Sequence, residues 1–247
     1  MNIMIPISTR SVFFPPEEFY FPKPIIDVNG SPMIDWVIKN LSANFKNAKF
    51  TFILNKEDSR LFSIGDALRI SLDGNPTIIE KNNETSGALC TALLAIDSID
   101  HSKPLIISNC DQYFTCDISK HISAFQSKNA DAGVLTFESV HPRWSYVVTD
   151  DKNNIMQAFE KKVASKRAIA GLYYFEKAGD FFKFARNPII NGASLNSLYY
   201  LSSVLNEYIL ENKKVLFSDI GTENYYSFFN PAAIKNFERT LQSSENE

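Results

Sequence analysis

The sequence predicts an α/β fold in which helices cover both faces of a mixed, mostly parallel sheet, so that the chain forms three layers. Short apolar runs without alternation, such as residues 2–6 and 104–108, are typical of strands covered on both faces. Segments with apolar residues at helical spacing separate these runs through the first half of the chain. This alternation of strand and helix predicts right-handed crossovers and parallel pairing.

The individual elements follow from the same patterns. The first helix is expected to begin at Ser31 and Pro32, because serine can cap free N–H groups and proline suits a first turn. In the first half, strands are predicted at 2–6, 49–54, 76–80 and 104–108, with helices at 59–71 and 85–97. The second half has fewer long helices, which predicts further strands, partly antiparallel, in the same sheet. These are expected at 132–137, 144–149, 155–159, 169–175 and 214–217, with a helix at 196–211.

Composition narrows the class of protein. Of 247 residues, 45% are hydrophobic and 21% charged, as expected of one globular domain, which we place at residues 1–242 with a disordered tail at 243–247. The net charge of −3 argues against nonspecific binding of nucleic acid, which needs a basic surface. The short apolar start resembles neither a signal peptide nor a membrane span, so we expect a cytoplasmic protein without membrane contact.

Two carboxylates follow buried strands. Asp111 comes shortly after residues 104–108, and Asp219 comes after residues 214–217. Open α/β sheets place ligand-binding groups at the carboxyl ends of strands. Two carboxylates that met there would suit one Mg²⁺ ion, which prefers oxygen ligands and retains substrate phosphates in its shell. Taken alone, each aspartate is better explained as a helix cap or turn residue, because aspartate is common at such junctions. The three cysteines and three histidines show no spacing typical of a disulfide framework or zinc site.

A series of short motifs extends from residue 1 to about residue 229. The motifs are Pro22-Lys23-Pro24-Ile25-Ile26, Asn29-Gly30-Ser31-Pro32-Met33-Ile34, Thr85-Ser86-Gly87-Ala88, Ser108-Asn109-Cys110-Asp111-Gln112-Tyr113, Glu160-Lys161-Lys162, Gly171-Leu172-Tyr173-Tyr174-Phe175, Asn191-Gly192, Asn206-Glu207 and Asp219-Ile220-Gly221-Thr222. In this order they resemble the sugar-phosphate nucleotidyltransferases, especially those of capsule and surface-polysaccharide pathways. Any single motif is weak, whereas the ordered set is specific.

The resemblance implies a Rossmann-like three-layer sandwich of the GT-A-like nucleotidyltransferase type. It implies attack by a sugar phosphate, or a similar phosphorylated small molecule, on the α-phosphate of a nucleoside triphosphate, with release of pyrophosphate. Positioning and charge neutralisation supply most of the catalysis in such a reaction. Mg²⁺ is the implied cofactor, and a homodimer is left open. The implied roles are phosphate contact for Lys23, nucleotide contact for Gly87 and Ala88, Mg²⁺ binding for Asp111 and Asp219, and substrate contact for Asn109, Glu160, Lys161, Gly171 and Asn191.

The chain departs from the family at its first loop, which normally runs Ala-Gly-x-Gly-Ser/Thr-Arg-Phe/Leu. Aligned without gaps, Thr9 and Ser11 replace the two glycines and Phe13 replaces the arginine. β-Carbons at the glycine positions impede positive φ and close approach of phosphate, and phenylalanine cannot neutralise a phosphate. Backbone N–H groups of such a loop normally hold the triphosphate.

Three explanations of this loop remain open at the level of sequence. In the first, Arg10 takes over the role of the lost arginine, and Ile7, Ser8 and Thr9 contribute nucleotide contacts. In the second, the chain binds a nucleotide sugar and transfers from it, as related glycosyltransferases do. In the third, the chain is catalytically silent and serves a partner. Lys23 is also expected to have extended backbone, because residues before proline avoid the helical region.

Overall fold

The computed structural model describes residues 1–7, 11–72 and 74–244 of the chain. The strands are β1 (Asn2–Pro6), β2 (Asp27–Val28), β3 (Ser31–Pro32), β4 (Lys49–Asn55), β5 (Thr77–Lys81), β6 (Leu105–Ser108), β7 (Gln112–Phe114), β8 (Ala132–Glu138), β9 (Tyr146–Thr149), β10 (Ile155–Phe159), β11 (Arg167–Phe175), β12 (Val215–Asp219) and β13 (Tyr225–Ser227). The helices are α1 (Met33–Asn44), α2 (Lys56–Phe62), α3 (Ile64–Ser71), α4 (Ala88–Leu93), α5 (Ile118–Ser127), α6 (Ala178–Phe184), α7 (Asn187–Ile190), α8 (Ser202–Leu210) and α9 (Pro231–Ser244).

Nine strands form one mixed sheet, in the order β10-β9-β11-β6-β1-β4-β5, with β8 beside β11 and β12 beside β8. The first half of the chain contributes parallel pairs, because β1 pairs with β4 and β6, and β4 pairs with β5. Strand β11 reverses direction and pairs antiparallel with β6 on one edge and β8 on the other. Two-stranded ribbons, β2–β3 and β7–β13, lie outside this sheet. The predicted α/β fold with a mixed sheet is confirmed.

Apolar side chains fill both faces of the sheet, which creates the three layers. One face packs against α1, α3 and α5 through residues such as Leu41, Leu68 and Phe125. The other face packs against α4, α6 and α8 through residues such as Leu89 and Phe181. A smaller cluster joins α9 to α1 and the segment after β13. Within the described part of the chain, no helix is both long and apolar enough to cross a membrane.

Several element boundaries differ from those predicted. Ser31 and Pro32 form β3 opposite β2, so α1 begins at Met33 and Ser31 does not cap it. Ser63 has a φ of 50° and divides the predicted helix at 59–71 into α2 and α3.

The later helices differ for similar reasons. Gly87 has a φ of 101°, so α4 starts only at Ala88, and it ends at Leu93 before a 3₁₀ turn at Ile96–Ser98. Asn196 and Ser197 have φ values of 52° and 60°, which breaks the predicted helix at 196–211 and delays α8 to Ser202. Helix α9 extends to Ser244, two residues past the point where the sequence placed the end of the domain.

Candidate active site

Lys23 and Asp111 form an ion pair beyond the carboxyl end of β6. The Lys23 ammonium donates a hydrogen bond to Oδ2 of Asp111, and the two side chains are 11% and 17% exposed. Burial lowers the pKa of Lys23, but the charge of Asp111 and its hydrogen bond outweigh this, so the pKa is raised overall. The lysine is therefore a fixed positive charge. Its backbone lies in a 3₁₀ turn, Lys23–Ile25, and the predicted extended conformation is wrong.

The loop that carries Asp111 is anchored on Gly171 of β11. The carbonyl oxygen of Gly171 accepts the backbone N–H of Asn109 and the side-chain amide of Gln112, each at 3.0 Å. Gly171 has a φ of 63°, and a β-carbon there would overlap the side chains of Asn109 and Gln112. Glycine therefore permits the close approach of β11 to this loop, and Asn109 lies exposed beside it.

Asp111 and Asp219 each have contacts of their own near the ribbon β7–β13. The backbone of Asp111 accepts the N–H of Phe228 at one end of this ribbon, and Thr115 pairs with Asn224 at its other end. Asp219 belongs to the Asn224 end, where its carboxylate accepts the N–H of Gly221 at 2.8 Å. The carboxylate of Asp219 also closes its own turn, and the shared Mg²⁺ site at Asp111 and Asp219 stays a prediction.

A second polar centre surrounds Glu160 and Lys161. The hydroxyls of Ser145 and Ser202 both donate to Oε2 of Glu160, the latter at 2.8 Å. The Lys161 ammonium donates to the hydroxyl of Tyr200 at 2.8 Å and lies 5.0 Å from the centre of its ring. The sequence motif thus corresponds to an ordered carboxylate and ammonium, and both are held by residues from a distant segment.

Burial affects the protonation of this centre. It raises the pKa of Glu160, although the two serine hydrogen bonds and the charge of Lys161 act in the opposite direction. Burial and the nearby charge of Glu160 also raise the pKa of Tyr173, which therefore stays neutral. Asn206 bonds the backbone two residues before Glu160. Its side chain accepts the N–H of Ala158 at 2.8 Å and donates to the carbonyl of Ala158 at 3.0 Å, which ties α8 to β10.

The segment around Tyr199 and Tyr200 connects Gly87 to this centre. The N–H of Tyr199 donates to the carbonyl of Ser86 at 2.8 Å, and a β-carbon on Gly87 would overlap the backbone of Tyr199. The close approach of the Tyr199 backbone thus explains why position 87 requires glycine. Ala88, the next residue, is exposed at the start of α4.

Two other predicted residues, Ile7 and Asn191, differ in their surroundings. Ile7 is buried, and its N–H donates to the carbonyl of Ile53, which extends the sheet. Asn191 ends α7 on an exposed turn, and no contact in the described chain joins it to Glu160 or Asp111.

Arg143 is a site residue that the sequence analysis missed. Its guanidinium lies 4.1 Å from the ring centre of Trp144 and also packs against the ring of Phe229. It interacts electrostatically with both Asp111 and Lys23. Ser145, two residues later, contacts Glu160, so residues 143–145 connect the two polar centres. The only available signal was a cation next to a tryptophan, which is too common to indicate a site.

The first loop is described only in part. Ser8, Thr9 and Arg10 lie outside the described residues, so the structure says nothing of the proposed substitution by Arg10. Phe13, at the position of the family's arginine, is 51% exposed and contacts Phe229 edge to face with 5.6 Å between ring centres. This position therefore carries an aromatic contact next to Arg143.

The fold and these two centres define an α/β protein suited to phosphorylated ligands, because fixed cations lie beside strand ends at which such folds bind ligands. The chain belongs to the nucleotidyl transferase family, whose family model matches residues 19–229. The family predicted from the sequence motifs is thereby confirmed, and its members are enzymes that commonly use a divalent metal ion.

Solved structures agree with this assignment at the level of fold. A nucleoside-diphosphate-sugar pyrophosphorylase from Vibrio cholerae RC9 superposes with a TM-score of 0.81 at 22% identity, covering 96% of this chain and 99% of that chain. A Bacillus anthracis protein assigned as a glucose-1-phosphate thymidylyltransferase, in complex with a sucrose, gives 0.73 at 15% identity, covering 97% and 94%. The predicted nucleotidyltransferase-type fold is confirmed by these likenesses. No curated protein matches the chain in sequence.

Proposed function

We propose that this chain transfers a nucleoside monophosphate from a nucleoside triphosphate to a sugar phosphate. An oxygen of the sugar phosphate forms a bond to the α-phosphorus, the bond from that phosphorus to the bridging oxygen breaks, and pyrophosphate leaves. The observation that carries the proposal is the Glu160–Lys161 centre, where a half-buried carboxylate lies beside an ammonium. Such a pair suits a sugar phosphate, because carboxylate oxygens accept from sugar hydroxyls and an ammonium binds phosphate.

The roles of the other residues follow from their positions. Lys23 and Arg143 supply positive charge on the side of the site where the triphosphate would lie, and charge neutralisation is the main requirement of phosphoryl chemistry. Ala88 is open to a base at the start of α4. Gly171 and Asn109 form the floor between the two centres. On the resemblance of the motifs, we further propose that residues 1–242 act as one catalytic unit in the cytoplasm, and that the product serves capsule or surface-polysaccharide synthesis.

The proposal is tested in two steps. Thermal shift with CTP, UTP, GTP, dTTP, ATP and their diphospho-sugars identifies the nucleotide, since a ligand that binds the native state raises Tm. Pyrophosphate release is then measured with the best triphosphate and a panel of sugar 1-phosphates. We expect release, and we expect Glu160→Gln to lower kcat/KM about tenfold or more, the scale for losing a hydrogen bond to a charged group.

Glu138→Gln is the matched control, because Glu138 is an exposed carboxylate paired with Lys166. It should leave turnover unchanged. Stabilisation by diphospho-sugars alone would replace the proposal with transfer from a nucleotide sugar. Stabilisation by no nucleotide, together with no pyrophosphate release, would leave a family member that serves a partner.

A further inference from the structure

The charges around Asp111 sum to an excess of positive charge. Asp111 is the one carboxylate that pairs with Lys23 in the described chain, and the charge of Arg143 acts on both of them. Two cations and one anion therefore share this end of β6. Their surroundings are apolar, with Phe14 5.9 Å below the lysine and Phe228 fully buried, so these charges are screened less than at an open surface.

A divalent cation does not fit this arrangement. It would have to displace the Lys23 ammonium from Oδ2 of Asp111 and then lie close to the charge of Arg143. The residue of the ribbon that bonds the backbone of Asp111 is Phe228, which brings no carboxylate, and the carboxylate of Asp219 accepts the N–H of Gly221 at 2.8 Å. Among the residues that the structure describes, no three histidine, cysteine or acidic side chains form a metal-binding group.

Arg143, by contrast, is held in a manner that suits an anion. Two aromatic rings, those of Trp144 and Phe229, pack against the guanidinium and restrain it. The planar fork of arginine binds two phosphate oxygens at once, and a restrained fork loses less conformational entropy when it does so. Lys23 adds a point charge whose direction is fixed by Asp111.

We propose that Asp111 serves as the counter-ion that orients Lys23, and that Lys23 and Arg143 bind the phosphoryl groups of the ligand directly, without a metal ion held by the protein. The inference rests on the proposed function only in assigning a phosphorylated ligand to this site. It reverses the role of Asp111: removing its charge should leave or strengthen anion binding, whereas a metal ligand could not be removed without loss.

The test uses pyrophosphate as the probe, with calorimetry in EDTA. Wild-type protein should bind pyrophosphate without metal, and Asp111→Asn should bind it as tightly or up to about tenfold more tightly, because the site gains a net positive charge. Lys23→Met should weaken binding about tenfold or more. Glu138→Gln, which removes the charge of an exposed carboxylate paired with Lys166, should change nothing. Titration of Mn²⁺ into the nucleotide-free protein, followed by electron paramagnetic resonance, should show no saturable site.

The inference is overturned if pyrophosphate binds only when Mn²⁺ is added, if Asp111→Asn abolishes binding in a folded protein, or if wild type shows a saturable Mn²⁺ site that Asp111→Asn removes. Melting curves establish that the variants fold. Should Asp111→Asn not fold, the Mn²⁺ titration and the EDTA calorimetry of wild type still decide the question. Metal-free binding without nucleotide transfer would contradict the proposed function alone, and transfer with Mn²⁺ bound at Asp111 would contradict this inference alone.

Discussion

Replacing Gly171 by alanine should damage the site more than the same change at Gly192. Both glycines have nearly the same backbone, with φ of 63° and 65°. An L-residue in this conformation costs about 1–2 kcal/mol, and the stiffer unfolded chain offsets part of that cost equally at both positions. The two differ in their surroundings: nothing lies within 4 Å of a β-carbon at Gly192, whereas at Gly171 it would lie 2.8 Å from Cγ of Asn109.

The difference in stability between the two variants therefore measures only the steric crowding of the β-carbon added at position 171. Overpacking costs about 1–3 kcal/mol, so Gly171→Ala should be less stable than Gly192→Ala by that amount. For a chain of this size, 1 kcal/mol corresponds to about 2–4 °C in Tm, which makes the expected difference roughly 2–12 °C. Urea denaturation gives the free energy of unfolding and calorimetry gives Tm. Equal stabilities for the two variants would refute the reasoning. They would show that the side chains of Asn109 and Gln112 move away from the added β-carbon without loss of stability.

Two further predictions concern the second polar centre. Burial raises the pKa of Glu160 above its ordinary value of 4.5. The protonated carboxyl therefore stabilises the fold below pH 4.5, and this contribution is lost as the pH rises through the raised pKa. Glu160→Gln should therefore show a smaller fall in Tm than wild type from pH 4.5 upward, and parallel curves would contradict this. Lys161→Ala should raise KM for the sugar phosphate about tenfold, the scale of one hydrogen bond to a charged group. Lys162→Ala is the control, because its ammonium packs over the ring of Phe159, and an equal effect of both would argue for general surface charge.

Local patterns were sufficient for much of the fold. The buried strands β1, β4 and β6 were placed within one residue, because a strand covered on both faces must be continuously apolar. Helix boundaries were less accurate, since single residues with positive φ, such as Ser63 and Asn196, end a helix without altering the apolar spacing. Periodicity carries no information about such backbone reversals.

The candidate site was predictable where its residues are adjacent in sequence. Glu160 and Lys161 were found as one motif, and the structure holds them together. The relation of Asp111 to Asp219 depends on the ribbon β7–β13, which pairs residues more than a hundred positions apart. Its register is set by side-chain packing around Tyr225 and Phe114, which no local pattern reveals. For the same reason, local sequence patterns did not identify Arg143 as a partner of Asp111.

The two halves of strand β11 pair with different neighbouring strands, and this affects which parts of the protein can change during evolution. Its early half borders β9 at Ala168, and its later half, Leu172–Phe175, borders β6. The register against β8 shifts between these halves, around Gly171. Loops that follow β9 and β10 can therefore lengthen, shorten or be exchanged for those of a relative while the pairing of β6 is preserved. Under the proposed function, such a strand permits acceptor preference to diverge among descendants of one ancestor while the half beside Lys23 and Asp111 is inherited intact.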